Sequence, residues 1–542
     1  MPINEYSKDG DESFIGLNSR ENPLVLQKGM VAKAENIRFD RGVARTRKGS
    51  KRITQHNPLS PFPAIYGSCV ITRATGEEAI VLVVSDRIYL LNQDTGAFLG
   101  QAFFPNGETV NAPCEVYQAQ GVGYVYICRG FSKTTLRWNG VFGLNTVKIP
   151  NNDTHHNYPN TPHAIYYGNR HITQIDSNTI RVSHYLEDNH WSALDMFSIS
   201  DGSNDSLIAV TPWTLNEFVV FMRNSIFYGS IGVGAYILND PATEDNSYIK
   251  SLATDIGCIA KRSIVQAGGG IVFLSDNGVY MLNPQSATGA SQSAPEGMRL
   301  LTMALPLSAP IEDIIFRINY NFVHKAVAIY WESRYYLAVP IDNSEVNNVV
   351  LVYNFVNKNW ESVDTYQSGF DIRAFHIAKR GNRRRLFAID QELGVYLMEE
   401  LEQDEYDSIV GLPVLGPPGP KTFLPFYLQP LSFLKYNINS VLVTRSYGLE
   451  TLRDKRFSSV DVDIDLQAGS NVKITAITTN PDTETELNQY ASQTTEDVLL
   501  RYPVRKIAQN MQIKVENLHL RPTIKSIFVE ASFIGKNTQT KS

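Results

Sequence analysis

Short runs of alternating apolar and polar residues dominate the chain, and Gly, Asn and Asp break them at close intervals. Residues 79–84, 123–127 and 218–222 are examples. Runs of this length between turn residues predict antiparallel β-strands, whereas long apolar faces with the 3.6-residue helical period are scarce. The same phrase also recurs. Val84-Ser85-Asp86-Arg87-Ile88-Tyr89-Leu90-Leu91-Asn92 resembles Leu274-Ser275-Asp276-Asn277-Gly278-Val279-Tyr280-Met281-Leu282-Asn283, and both resemble the stretch 389–397. Weaker copies lie around Leu136, Ile180, Ile226 and Val352. With Ile88, Val279 and Val395 these give seven markers, most of them about 43 to 53 residues apart. That is the period of a four-stranded propeller blade, and the longer step from 279 to 352 predicts an insertion. The fold class expected is all-β: a β-propeller of six to eight blades followed by a C-terminal β-sandwich-like domain.

The repeats stop near Glu400, and the stretch Gly411 to Pro420 carries four prolines. Proline cannot continue either regular element. Beyond it, 458–466, 471–477 and 511–515 alternate strictly, as half-buried strands do. Four segments follow: residues 1–55 as an N-terminal arm that closes the propeller, 56–405 as the propeller, 406–435 as a Pro-rich linker or protruding loop, and 436–542 as the sandwich. A propeller must hide its first and last strand edges. Residues 36–39 through 43–45 are the candidate to pair with the last blade near 389–397.

Length and composition narrow the class. A chain of 542 residues is too long for one core. A net charge of −6 is mild and argues against a dedicated duplex-DNA binder. Cys69, Cys114, Cys128 and Cys258 contain no CxxC pair, which disfavours both a thiolate zinc site and a disulfide framework. The polar N-terminus predicts no signal peptide, and no apolar run is long enough to span a membrane as a helix.

Candidate chemistry is thin. No nucleophile elbow, Walker A loop, HExxH or dinucleotide fingerprint occurs, so no catalytic or cofactor-binding residue is expected. His155, His156, His163, His171, His184 and His190 cluster in sequence, but their spacing fits no established ligand pattern and no metal site is expected. Asp176, Asp188 and Asp195 could supply a glycosidase pair, but so could many carboxylates in so acidic a chain.

Three charged features stand out. Asp461, Asp463 and Asp465 share one strand face opposite Val460, Val462, Ile464 and Leu466. This is either an ordinary solvated face or an acidic wall that lets a polyanion slide past. Arg380, Arg383, Arg384 and Arg385 sit in a predicted hairpin loop between Ile377 and Leu386. A second basic run comprises Arg38, Arg41, Arg45, Arg47, Lys48, Lys51 and Arg52. Each of these is a solvated surface, or a contact for an acidic partner subunit or nucleic acid.

Four regions carry a resemblance. Gly16-Leu17-Asn18-Ser19-Arg20-Glu21-Asn22-Pro23, with Ala34-Glu35-Asn36-Ile37-Arg38-Phe39-Asp40-Arg41-Gly42 and Thr46-Arg47-Lys48-Gly49, resembles the start of bacteriophage propeller proteins. Pro212 to Phe221, and Val352-Tyr353-Asn354 with Asn359-Trp360-Glu361, resemble tail-nozzle and head-stabilisation proteins of short-tailed phages, as does the strand region at Lys455-Arg456-Phe457. The resemblance implies a structural virion protein, not an enzyme and without cofactor. It implies a homo-oligomer, a hexameric ring below portal and adaptor proteins, which meets tail fibres or tailspikes and passes viral double-stranded DNA. The virion tail, assembled in the host cytoplasm, is the implied location. In that setting the aspartate face is a candidate channel lining and the Arg380–Arg385 loop a candidate partner contact. Two other readings of a propeller stand beside it, receptor or glycan binding and glycoside hydrolysis, since fold alone does not separate them.

Overall fold

The computed structural model describes residues 6–534 apart from 55–63, 151–157, 232–246, 284–305, 400–405 and 411–432. Shorter breaks fall at 74, 120–122, 189, 192–194, 201, 203, 214–216, 367–369, 391–393 and 452. The Pro-rich stretch 411–430 thus lies outside the described residues.

Seven antiparallel meanders follow one another. Blade one runs from Gly67–Thr72 to Phe98–Phe103, blade two from Glu115–Ala119 to Val147–Lys148, and blade three from Ala164–Tyr167 to Met196–Ser198. Blade four runs from Leu207–Pro212 to Tyr248–Ala253. Blade five shows three strands among the described residues, Val265–Ala267 to Gly278–Leu282. Blade six spans Val327–Trp331 to Asn359–Thr365, and blade seven Ala374–Arg380 to Val395–Met398. All seven sequence markers fall in the third strand of a blade.

The order of burial shows why the second strands read as nearly unbroken apolar runs. In blade one, Val81 and Val83 pack with Val125 and Ile127 of blade two, while Ile80 and Leu82 pack with Phe387 and Ile389 of blade seven. A strand covered on both faces needs apolar residues at every position. The pattern repeats. Phe218 and Val220 join blade three, Val219 and Phe221 join blade five, and Leu386 and Ala388 join blade six. Contact between blades two and three is different in kind. There Tyr126, Tyr158 and Trp191 form the core.

The ring closes through the N-terminal segment, but not where the sequence pointed. Lys51–Arg52 forms the fourth strand of blade seven, with Arg52 opposite Tyr396 and Lys51 opposite Leu397, and Tyr406–Val410 and Phe433–Asn437 extend the same sheet beyond it. Residues 37–46, expected to pair with the last blade, instead form the hairpin Ile37–Asp40 and Val43–Thr46, whose second strand pairs with Thr523–Phe533.

That hairpin belongs to a second module. In one six-stranded sheet Lys455–Leu466 lies between Glu496–Ala508, at the edge, and Thr523–Phe533. Val460, Val462 and Ile464 point from it into the core shared with Ile474, Ala476, Ile513 and Val515 of the facing strands. Those facing strands are part of a ten-stranded sheet that runs on through Ser440–Thr444, Met30–Glu35 and Gly16–Leu17 into blade six. Propeller and sandwich therefore share one sheet and one continuous core cluster.

The basic N-terminal run lies at this junction, with Arg38, Arg47 and Arg52 buried and Arg41, Arg45 and Lys51 exposed. Arg38 is buried, donates to both carboxylate oxygens of Asp364, and also donates to Glu399. Arg47 is buried too, with its guanidinium 4.2 Å over the ring of Tyr366 and Nη2 donating to Thr365 O at 3.0 Å. Arg334 bridges Glu361 (2.6 Å) and Asp40 (2.6 Å).

Candidate functional site

A propeller's innermost strands surround its axis, and here that axis holds a cavity of about 430 Å³. Residues at or just before the first strands of the blades line it, among them Ser68, Pro113, His163, Leu207, Arg262, Lys325 and Arg373. The volume lies within the roughly 300–1,000 Å³ of small-molecule pockets. Cations outnumber anions in its wall. Lys261 pairs with Glu115 at 2.9 Å and donates to Pro162 O at 3.0 Å. Arg262 Nη2 donates to Cys114 O at 2.8 Å, and Arg373 Nε pairs with Asp371 at 3.0 Å. Lys325 Nζ donates to Glu345 O at 2.8 Å. Burial opposes ionisation of Glu115, but Lys261, His163 and Arg262 outweigh it and hold the carboxyl well below its usual range.

His163 Nε2 lies 2.9 Å from the Val210 backbone nitrogen and 3.1 Å from Val210 O, and its Nδ1 lies 3.8 Å from Glu115. Among the described residues Asn347 Oδ1 is buried in the same wall with no hydrogen-bond donor, while its amide nitrogen donates to Lys325 O and Ile372 O. The cavity thus offers guanidinium and ammonium groups. Such a set suits a carboxylate or phosphate group.

One nucleophile-like pair touches the wall. Ser68 Oγ lies 2.8 Å from His376 Nε2. Burial, and next the charge of Arg262, push His376 down to about 4. A base that weak takes a hydroxyl proton poorly at neutral pH.

The aspartates flagged in the sequence do share a face, but two of them are neutralised. Asp461 is buried and accepts from Arg501 at both oxygens, at 2.7 and 2.6 Å, with Lys8 at 3.8 Å. Lys525 sits 2.6 Å from Asp465 and 2.7 Å from Asp497. Asp463 lies between them, opposite Leu499 and Ser526. The face is a lattice of alternating charges.

Arg380 and Arg383 are paired across a two-residue hairpin turn in which Gly381 takes φ +56°, a left-handed conformation glycine adopts without strain. The turn leans on blade one. Glu78 accepts from the Lys379 N–H (2.6 Å) and from Arg384 (3.1 Å), and Asp94 accepts from the Gly381 N–H (2.6 Å). Arg383 and Arg384 remain exposed, Arg380 and Arg385 half-buried.

The histidines separate. His163 faces the cavity. His171 is buried among Tyr117, Tyr126, Tyr158 and Trp191, with Nδ1 2.7 Å from the Tyr117 hydroxyl. Burial lowers its pKa to about 4. His184 and His190 stack at 3.5 Å beside Glu187, a grouping that sequence spacing did not reveal. His155 and His156 lie outside the described residues.

No protein-family model matches the sequence, and no curated protein matches it. Among solved structures, the chain is similar to BamB from Moraxella catarrhalis at 10% identity and TM-score 0.36, over 68% of this chain and 96% of that one. It is also similar to BBS1N, solved in complex with ARL6DN, at 11% identity and TM-score 0.39, over 66% of this chain and 98% of that one. The strand pairing defines the class: an all-β protein, a β-propeller with an appended β-sandwich.

Proposed function

We propose that the chain is a structural component of a short-tailed phage virion, a subunit of the ring-shaped nozzle below portal and adaptor through which DNA leaves. The observation that carries this reading is the ten-stranded sheet that joins blade six to the sandwich without a break. Domains linked by a flexible tether move independently, whereas domains sharing a hydrogen-bonded sheet and core behave as one stiff body. Stiffness suits a wall segment that must hold its shape while a polymer passes. The resemblance at residues 16–49 and 352–361 supports the same reading.

Duplex DNA carries one negative charge per about 1.7 Å, so a conduit surface rich in unpaired cations would grip it. The face of Asp461, Asp463 and Asp465 with Arg501 and Lys525 is near balance and offers neither a strong grip nor strong repulsion. As the channel face, it would let DNA run. Arg380, Arg383, Arg384 and Arg385 would meet an acidic surface on a neighbouring virion protein. The test is sedimentation of the full chain with capsids that carry portal and adaptor but lack the tail. Saturable co-sedimentation is expected, and a chain that stays at the top of the gradient would contradict the assignment.

A second reading draws on the axial cavity. Its cationic wall fits an acidic sugar, which favours a glycan-binding propeller on the virion. An array of neutral and carboxylated glycans distinguishes the two. Selective binding of acidic glycans, lost in Arg262→Ala, would support it.

A further inference from the structure

The loop 184–190 follows the third strand of blade three, Thr179–Val182. It turns on Leu186 at φ +59°, a conformation that costs a side chain about 1 kcal/mol or more. Several bonds hold it there. The His184 N–H donates to His190 O at 3.0 Å and the Leu186 N–H to Asn169 O at 2.8 Å. The Asp188 carboxylate accepts from the Tyr126 hydroxyl at 2.7 Å and from Arg137 at 2.5 Å, and the Trp191 indole, fully buried, donates to Asp188 O at 2.8 Å. The loop is therefore fixed by blade two before any ligand arrives.

On this frame His184, Glu187 and His190 converge. One ligating atom of each lies within 4.8 Å of the other two. His190 Nδ1 is 3.1 Å from Glu187 Oε2, and the two imidazole rings are stacked 20° from parallel. Bonds of 2.0–2.1 Å to a tetrahedral zinc ion imply ligand-to-ligand edges of about 3.3 Å, so the donors must draw together and the stacked imidazoles must rotate apart until their lone pairs converge. Behind them, buried Asp195 places Oδ2 3.6 Å from His184 Nε2.

We propose that His184, Glu187 and His190 bind one divalent transition-metal ion of the zinc class, with water completing the coordination. Two imidazoles and one carboxylate select such an ion over calcium or magnesium, which prefer all-oxygen shells. Binding would pin the loop at the interface of blades two and three, where the core is aromatic and polar and not aliphatic. The competing explanation is that the His190–Glu187 and His184–Asp195 pairs hold the loop by themselves.

Titration of the full chain with Zn²⁺ at neutral pH in excess Mg²⁺ separates the two. One ion per chain is expected, with a rise in melting temperature. Co²⁺ in its place should give the intense visible bands of a four-coordinate site. His184→Gln and His190→Gln should each weaken binding by at least about tenfold, as loss of a coordination partner does. Glu187→Gln is the second handle, because its exposed side chain can change without threatening the fold. Absence of saturable Zn²⁺ binding by the folded wild-type chain would overturn the proposal. So would undiminished affinity in His184→Gln/His190→Gln, or in Glu187→Gln.

Discussion

Arg38 and Asp364 stand 326 residues apart in sequence and form a two-pronged ion pair buried at the seam between the N-terminal hairpin, blade six and blade seven. Glu399 shares the same guanidinium. Burial alone would discourage the charge on Arg38, yet the two carboxylates outweigh it and hold the guanidinium firmly protonated. The seam therefore depends on all three groups being present together.

Removing one partner strands the others in the core. Arg38→Ala should lower unfolding free energy by about 3–5 kcal/mol. Arg384→Ala, which breaks a pair whose arginine is 70% exposed, should cost under about 1 kcal/mol. Urea denaturation of the two variants checks the contrast, and equal effects would contradict it.

Ring closure rests on very few residues. The Ile53 N–H donates to Val395 O at 2.8 Å, just after Lys51 and Arg52 pair with Leu397 and Tyr396. Ile53→Pro removes that donor. Amide hydrogen exchange in Val395–Met398 should quicken by at least about tenfold, while exchange in Glu217–Met222, on blade four, stays unchanged. A uniform change in both strands would point to global destabilisation.

The interface of blades two and three should be acid-sensitive. His171 has its pKa lowered from 6.5 to about 4 by burial, so folding favours its neutral form. The stability this provides is fully present above about pH 6.5. It is lost as pH falls from there to about 4, because the unfolded chain takes up the proton first, and it amounts to about 3 kcal/mol. His171→Gln should flatten that part of the stability–pH curve, and an unchanged slope would show that other groups dominate.

Charge reversal on the aspartate face probes its lattice. Asp461→Lys sets an ammonium against Arg501 and near Lys8, and should destabilise by about 1–3 kcal/mol. Asp461→Lys with Arg501→Asp should recover most of the loss. Thermal melting of the single and double variants reads this directly.

Much of the architecture was legible in the sequence because blades repeat the same physical problem. The second strand needs apolar residues on both faces, and the turn before the third strand needs Asp, Asn or Gly. The phrase at Ser85-Asp86 and Ser275-Asp276 thus marked true blade hairpins. What alternation could not tell was which open edge a strand would take. Residues 36–39 through 43–45 read as the closing strand because nothing in their pattern marks the sandwich as their partner, and the real closing strand, Lys51–Arg52, is too short to leave a pattern. The aspartate face was read correctly as a face, but Arg501 and Lys525, which neutralise it, arrive from two neighbouring strands whose register the sequence does not show. The His184–Glu187–His190 grouping depends on a left-handed turn at Leu186, which residue spacing does not encode.

The nozzle assignment is tested most directly by electron-microscopic averages of the full chain bound to capsids that carry portal and adaptor but no tail. The account predicts a rotationally symmetric ring of six copies coaxial with the portal, enclosing a channel wide enough for duplex DNA. Copies scattered over the capsid surface, or a vertex that stays bare at saturating protein, would contradict it.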